Sequence, residues 1–75
     1  MRVNIKFEKK LNLTNNTDVV LVNEKENKTL LTKYLYESEN GYVFDVKEKT
    51  GLYLNSFTYN GNKISWIDIT NEQTI

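Results

Sequence analysis

The chain has no cysteine, histidine, proline or alanine, and only three glycines, across 75 residues. Without cysteine there is no disulfide scaffold, no thiolate chemistry and no cysteine-ligated zinc. Without histidine the commonest general base and the commonest metal ligand are both missing. An excess of one charge is also lacking, since ten basic residues balance ten acidic ones. That balance argues against the broad positive field of a nucleic-acid domain, and equally against the strong negative charge of a DNA mimic. No run approaches the roughly 20 apolar residues that span a bilayer, the first residues form no apolar leader, and no basic amphipathic helix is present to lie on a membrane. These absences lead to the expectation of a cytoplasmic protein without membrane association, cofactor or catalysis of its own.

What is present points to a folded domain. Apolar residues make up 39% and aromatics 12%, enough for a packed core although the first figure is low for a globular chain. The whole chain, 1–75, reads as one domain, with 71–75 a polar tail under no obligation to be ordered. Asn, Lys, Ile, Tyr and Phe together supply 33 residues, while Gly, Ala, Arg and Pro supply 4. The first set has AT-rich codons, so a low-GC genome is expected, bacterial or phage. Three Asn-x-Thr triplets, at Asn12, Asn15 and Asn27, are explained by the abundance of both residues, with 11 Asn and 8 Thr in the chain.

The apolar period is 2 almost throughout, which is the signal of strands. Val3, Ile5 and Phe7 alternate with Asn4, Lys6 and Glu8 and predict a half-buried strand. Asn12 to Thr17 is polar and reads as a loop. Val19-Val20-Leu21-Val22 is a continuous apolar run, which predicts a strand covered on both faces. Glu24 to Lys28 reads as a turn. Residues 29–38 fit a helical face or a strand; the Asn40-Gly41 dipeptide, suited to a type I′ hairpin turn, decides for strand. A two-residue turn there sets Glu37 opposite Phe44 and Leu35 opposite Val46, with Tyr34 and Tyr36 together on the other face. Thr50-Gly51 marks another turn. Asn60-Gly61 then joins a strand over 52–59 to one over 62–70, aligning Leu54 with Ile67 and placing Tyr53, Phe57, Ile64 and Trp66 on one face. About six short strands at turn spacings of about 8–12 residues predict an all-β fold, an antiparallel meander closed into a small barrel or folded into a sandwich.

Candidate chemistry is sparse. The serines, threonines and lysines have no motif to activate them. The carboxylate pairs Glu37/Glu39 and Asp45/Asp68 could serve acid–base work or, at Glu37/Glu39, hold a hard cation, but a solvated hairpin tip accounts for the first pair as well. The three glycines lie in turns rather than in a phosphate-binding loop. Six tyrosine and tryptophan residues in so short a chain favour contact with another protein, because such rings give large contact area at small entropic cost. The expected partner-binding residues are Tyr34, Tyr36, Tyr53, Phe57, Tyr59 and Trp66. The favoured function is a non-catalytic protein-binding module, and size with codon usage extends it to a phage or mobile-element inhibitor or adaptor that docks on a host defence protein and blocks it sterically. The alternative is a single-stranded nucleic-acid binder using Lys33, Tyr34, Tyr36, Lys47 and Lys49. A structural homo-oligomer is the third reading, and a homodimer is compatible with the first.

Overall fold

The computed structural model describes residues 1–47 and 54–70. Six strands, β1 (Arg2–Phe7), β2 (Thr17–Asn23), β3 (Lys28–Ser38), β4 (Gly41–Val46), β5 (Thr58–Tyr59) and β6 (Asn62–Thr70), form a small antiparallel barrel closed in the order β1-β4-β3-β2-β5-β6. A 3-10 turn, Leu54–Ser56, precedes β5. The run β2-β3-β4 is sequential, whereas β1 enters between β4 and β6 and pairs with both. Closure removes most strand edges that could otherwise pair with another chain.

The first strand follows its alternation: Val3, Ile5 and Phe7 are buried while Lys6 faces solvent. Residues 29–38 are strand, as the hairpin signal indicates, within β3 from Lys28 to Ser38. Inside the barrel Tyr34 packs against Phe44 and Tyr42, with centroid separations of 5.4 and 5.9 Å, and Phe7 contacts the latter two rings at 6.2 and 6.3 Å. Tilted and edge-on geometries of this kind suit the quadrupoles of aromatic rings. Val3, Ile5, Leu21, Val46 and Leu54 complete an almost fully dry centre. The buried Thr32 hydroxyl donates to the Val19 carbonyl at 2.8 Å, so its polar group is satisfied.

The β1–β2 connection is fastened to this core through one side chain. Tyr42 Oη accepts the Leu11 N–H at 3.0 Å and donates to the Leu11 carbonyl at 3.0 Å, both bonds buried. Leu11 itself is buried among the core residues, with Leu13 packed against them.

Several sequence expectations need correction, and two bulges explain most of them. The expected Asn40-Gly41 turn shifts by one residue: Ser38 pairs with Gly41, so Glu39 and Asn40 form the loop. Ser38 Oγ lies 2.9 Å from Asn4 Oδ1 and 3.1 Å from the Gly41 carbonyl, and accepts the Asn40 N–H at 3.3 Å. Glu37 therefore faces Tyr42, Tyr36 faces Val43, and Leu35 is an extra residue before Tyr34 meets Phe44. A bulge reverses the facing of residues on its two sides, so Tyr34 points inward while Tyr36 points out. Gly41 is needed for a different reason from the turn: a Cβ there would lie 2.7 Å from the Ile5 carbonyl oxygen, at φ +143°. Only glycine permits β1 to approach so closely at that backbone angle.

Asn60-Gly61 does form the expected left-handed turn, with φ of 48° and 80°, and Tyr59 pairs with Asn62. The pairing extends only to Thr58 and Lys63. Leu54 lies in the 3-10 turn instead of opposite Ile67, and β6 pairs onward with β1, setting Ile67 beside Ile5. Ser65 is the extra residue where Lys6 meets Trp66 and Phe7 meets Ile64. Ile64 and Ile67 consequently both pack on the core, while Trp66, expected to share a face with Ile64, is 40% exposed. The β2 run is covered on one face only: Val19 and Leu21 are buried but Val20 is exposed. The Thr50-Gly51 turn and the tail 71–75 lie outside the described residues.

A candidate protein-binding face on β2, β3 and β4

The six expected partner-binding residues do not assemble into one site. Tyr34 and Phe57 are core residues, 2% and 6% exposed, and Tyr59 is half-buried against the same core. Burial pushes the Tyr34 phenol above the usual tyrosine range, with the nearby Glu37 carboxylate and Tyr42 adding to the effect. Tyr53 lies outside the described residues. Of the five described, only Tyr36 and Trp66 are exposed, and they stand three strands apart, half the circuit of the barrel.

The expected nucleic-acid set is retained only in part. Tyr34 is buried, Lys49 lies outside the described residues, and Lys33, Tyr36 and Lys47 remain exposed. Lys33 is flanked in register by Asp18 on β2 and Asp45 on β4, and Asp45 in turn faces Arg2 on β1. Four strands thus carry the row Asp18, Lys33, Asp45, Arg2, with signs alternating at every step. Opposite charges directly across a sheet attract, and the row offers no net positive stripe to a phosphate backbone. The carboxylate pairs resolve into surface groups: β1 separates Asp45 on β4 from Asp68 on β6, and Glu37 and Glu39 are exposed near the β3–β4 turn. Among the described residues no cluster of three or more acidic side chains is placed to hold a metal ion.

What the tertiary structure does bring together is the outer face of β2, β3 and β4. Val20 and Leu31 are register partners and are 42% and 70% exposed. Along the same face lie the Asp18–Lys33–Asp45 row and then Tyr36, 44% exposed, beside the buried Val43. A groove of about 390 Å³ runs here, lined by Asp18, Leu31, Thr32, Lys33, Asp45 and Lys47. An apolar pair, a charged row and an aromatic ring thus follow one another along this face, the charges lying between the apolar groups. Sequence reasoning missed Val20 and Leu31 because it assigned the β2 apolar run to a core buried on both sides and weighted aromatic residues over aliphatic ones.

No family model, curated protein or solved structure matches this chain. Among the described residues, no helix is long and apolar enough to cross a membrane.

Proposed function

We propose that this chain is a non-catalytic, cytoplasmic protein-binding module that docks through the outer face of β2, β3 and β4. The observation that carries the reading is Leu31, a leucine 70% exposed in mid-strand beside the exposed Val20. Monomeric proteins leave single apolar side chains in water without consequence, but an exposed aliphatic pair bordered by charge favours a contact surface. The mixed-sign row beside it sets orientation more than affinity. An inhibitor or adaptor that covers a partner's working surface is the form of action this face suits, since it presents area and no reactive group. The test is a photo-crosslinking residue at position 31, with one at Asn55, exposed in the 3-10 turn, as control. Crosslinking to one protein from position 31 alone, reproduced with the purified pair, supports the reading. Equal labelling from both positions, or none, refutes it.

A second reading, single-stranded nucleic-acid binding, draws on the other side of the barrel. Lys6 Nζ lies 5.6 Å from the centroid of the exposed Trp66 ring, and Lys9 and Lys10, both exposed, follow directly after β1. A ring with a lysine beside it is an element on which bases stack and phosphates are held, and Lys9 and Lys10 share a groove with Lys6 and the acidic Glu37 and Glu39. Oligonucleotide anisotropy at about 50 and about 200 mM salt tests it, because phosphate contacts weaken steeply with salt.

A further inference from the structure

We infer that the Val20–Leu31 end of this face is a self-association site, and that its occupant is a second copy of this chain. The inference rests on the docking-face reading above and names the partner for one part of that face. Three register pairs face outward there: Asp18 with Lys33, Val20 with Leu31, and Val22 with Thr29. A twofold axis lying between two such faces, parallel to the strands and midway between β2 and β3, sets each copy's β2 over the other copy's β3. Position along the strand is preserved by that rotation and position across it is exchanged. Val20 of one copy then covers Leu31 of the second, and Asp18 of one copy meets Lys33 of the second, twice over by symmetry.

This self-complementarity is what selects a second copy. Both signs of charge occur in one register row next to the apolar pair, so the twofold satisfies all four charges at once. An unrelated partner would have to supply the same pattern independently. Isologous twofold dimers are also the commonest closed assemblies of soluble chains. Packing is face to face, at the roughly 10 Å spacing of stacked sheets. Barrel closure leaves β3 hydrogen-bonded to strands on both sides, so edge pairing through it is not the route. Six side chains on two strands fall short of the roughly 800 Å² per partner of a standard interface, so the dimer is expected to be weak, dissociating in the micromolar range or above.

Sedimentation equilibrium from about 10 µM to about 1 mM, a range set by that affinity, decides the matter. It uses the wild-type chain, Asp18→Lys, Lys33→Asp, an equimolar mixture of these two, and the double variant. The wild type is expected to move from monomer to dimer with concentration. Each single charge reversal sets like charges against each other at both symmetric contacts and weakens association at least tenfold. The equimolar mixture recovers it, because in the mixed dimer both contacts again join opposite signs; the double variant recovers it for the same reason. Both positions are exposed, and circular dichroism of each variant establishes that the barrel is intact. A wild type that stays monomeric throughout, singles that associate as well as the wild type, or a mixture that fails to associate each overturns the dimer. The crosslink from position 31 keeps the two readings apart: a monomeric chain that still crosslinks to one other protein loses the dimer and keeps the docking face, and a monomeric chain that does not crosslink loses both.

Discussion

Removing one oxygen atom from Tyr42 tests how the barrel holds its longest described connection. In Tyr42→Phe the ring remains against Phe7 and Tyr34, but Leu11 loses both hydrogen-bond partners of its main chain at once, the acceptor of its N–H and the donor to its carbonyl. Leu11 is 8% exposed, so water has little access to either group. An orphaned buried donor or acceptor costs about 1–3 kcal/mol; two of them, partly relieved by local relaxation, cost about 2–4 kcal/mol. A chain of this length is stable by only about 4–11 kcal/mol, so the substitution removes a large share. Urea unfolding followed by far-ultraviolet dichroism measures it, with m near about 1 kcal/mol/M for so small a protein and a midpoint lowered by about 2 M or more. Tyr36→Phe is the control, and its exposed hydroxyl predicts a change within about 0.5 kcal/mol. A Tyr42→Phe midpoint within about 0.3 M of wild type at unchanged m would refute the reasoning, since it would mean that water replaces the hydroxyl at Leu11.

Gly41→Ala is expected to destabilise more than Gly61→Ala, by about 2–4 kcal/mol against about 1 kcal/mol. Both glycines have positive φ, but only at Gly41 would the new methyl meet backbone, whereas nothing lies within 4 Å at Gly61; parallel urea titrations compare them. Leu31→Asp should leave the melting midpoint unchanged within the effect of an ordinary surface substitution while abolishing self-association in sedimentation equilibrium, and a large loss of stability would place Leu31 in the core. The Tyr34 phenol is held above its ordinary range by burial first and by Glu37 and Tyr42 second. The folded state therefore keeps a proton that the unfolded chain gives up, and stability is full below about pH 10 and falls as pH rises beyond it. Urea titrations at about pH 8 to 11 should show that fall, with a shallower slope in Tyr34→Phe. The sole tryptophan, Trp66, should emit as a solvent-exposed indole and be quenched readily by acrylamide, and Trp66→Ala should cost at most about 1 kcal/mol.

The all-β character, the first strand, the strand nature of 29–38 and the Asn60-Gly61 turn were legible in the amino-acid sequence, because each depends on local chemistry. Alternation with period 2 needs only a pleated backbone and one buried face, and a left-handed turn needs a residue pair that tolerates positive φ. Asn16, Asn27 and Asn60 all adopt that conformation, with φ between 48° and 62°, so part of the asparagine content has a backbone use beyond codon bias. Tertiary structure alone decided which way the side chains face beyond Leu35 and Ser65. A bulge is one surplus residue in one strand relative to its partner, and that count exists only once strands distant in sequence are paired. Tyr34 and Tyr36, or Ile64 and Trp66, are indistinguishable in orientation within their own segments; the cross-strand count sends one of each inward and the other to solvent. The same holds for Gly41, whose need for a missing side chain comes from a carbonyl 36 residues earlier in the chain. The exposure of Val20 and Leu31 likewise follows from closure of a single-layered barrel, which covers one face of β2 and leaves the other face to water or to a partner.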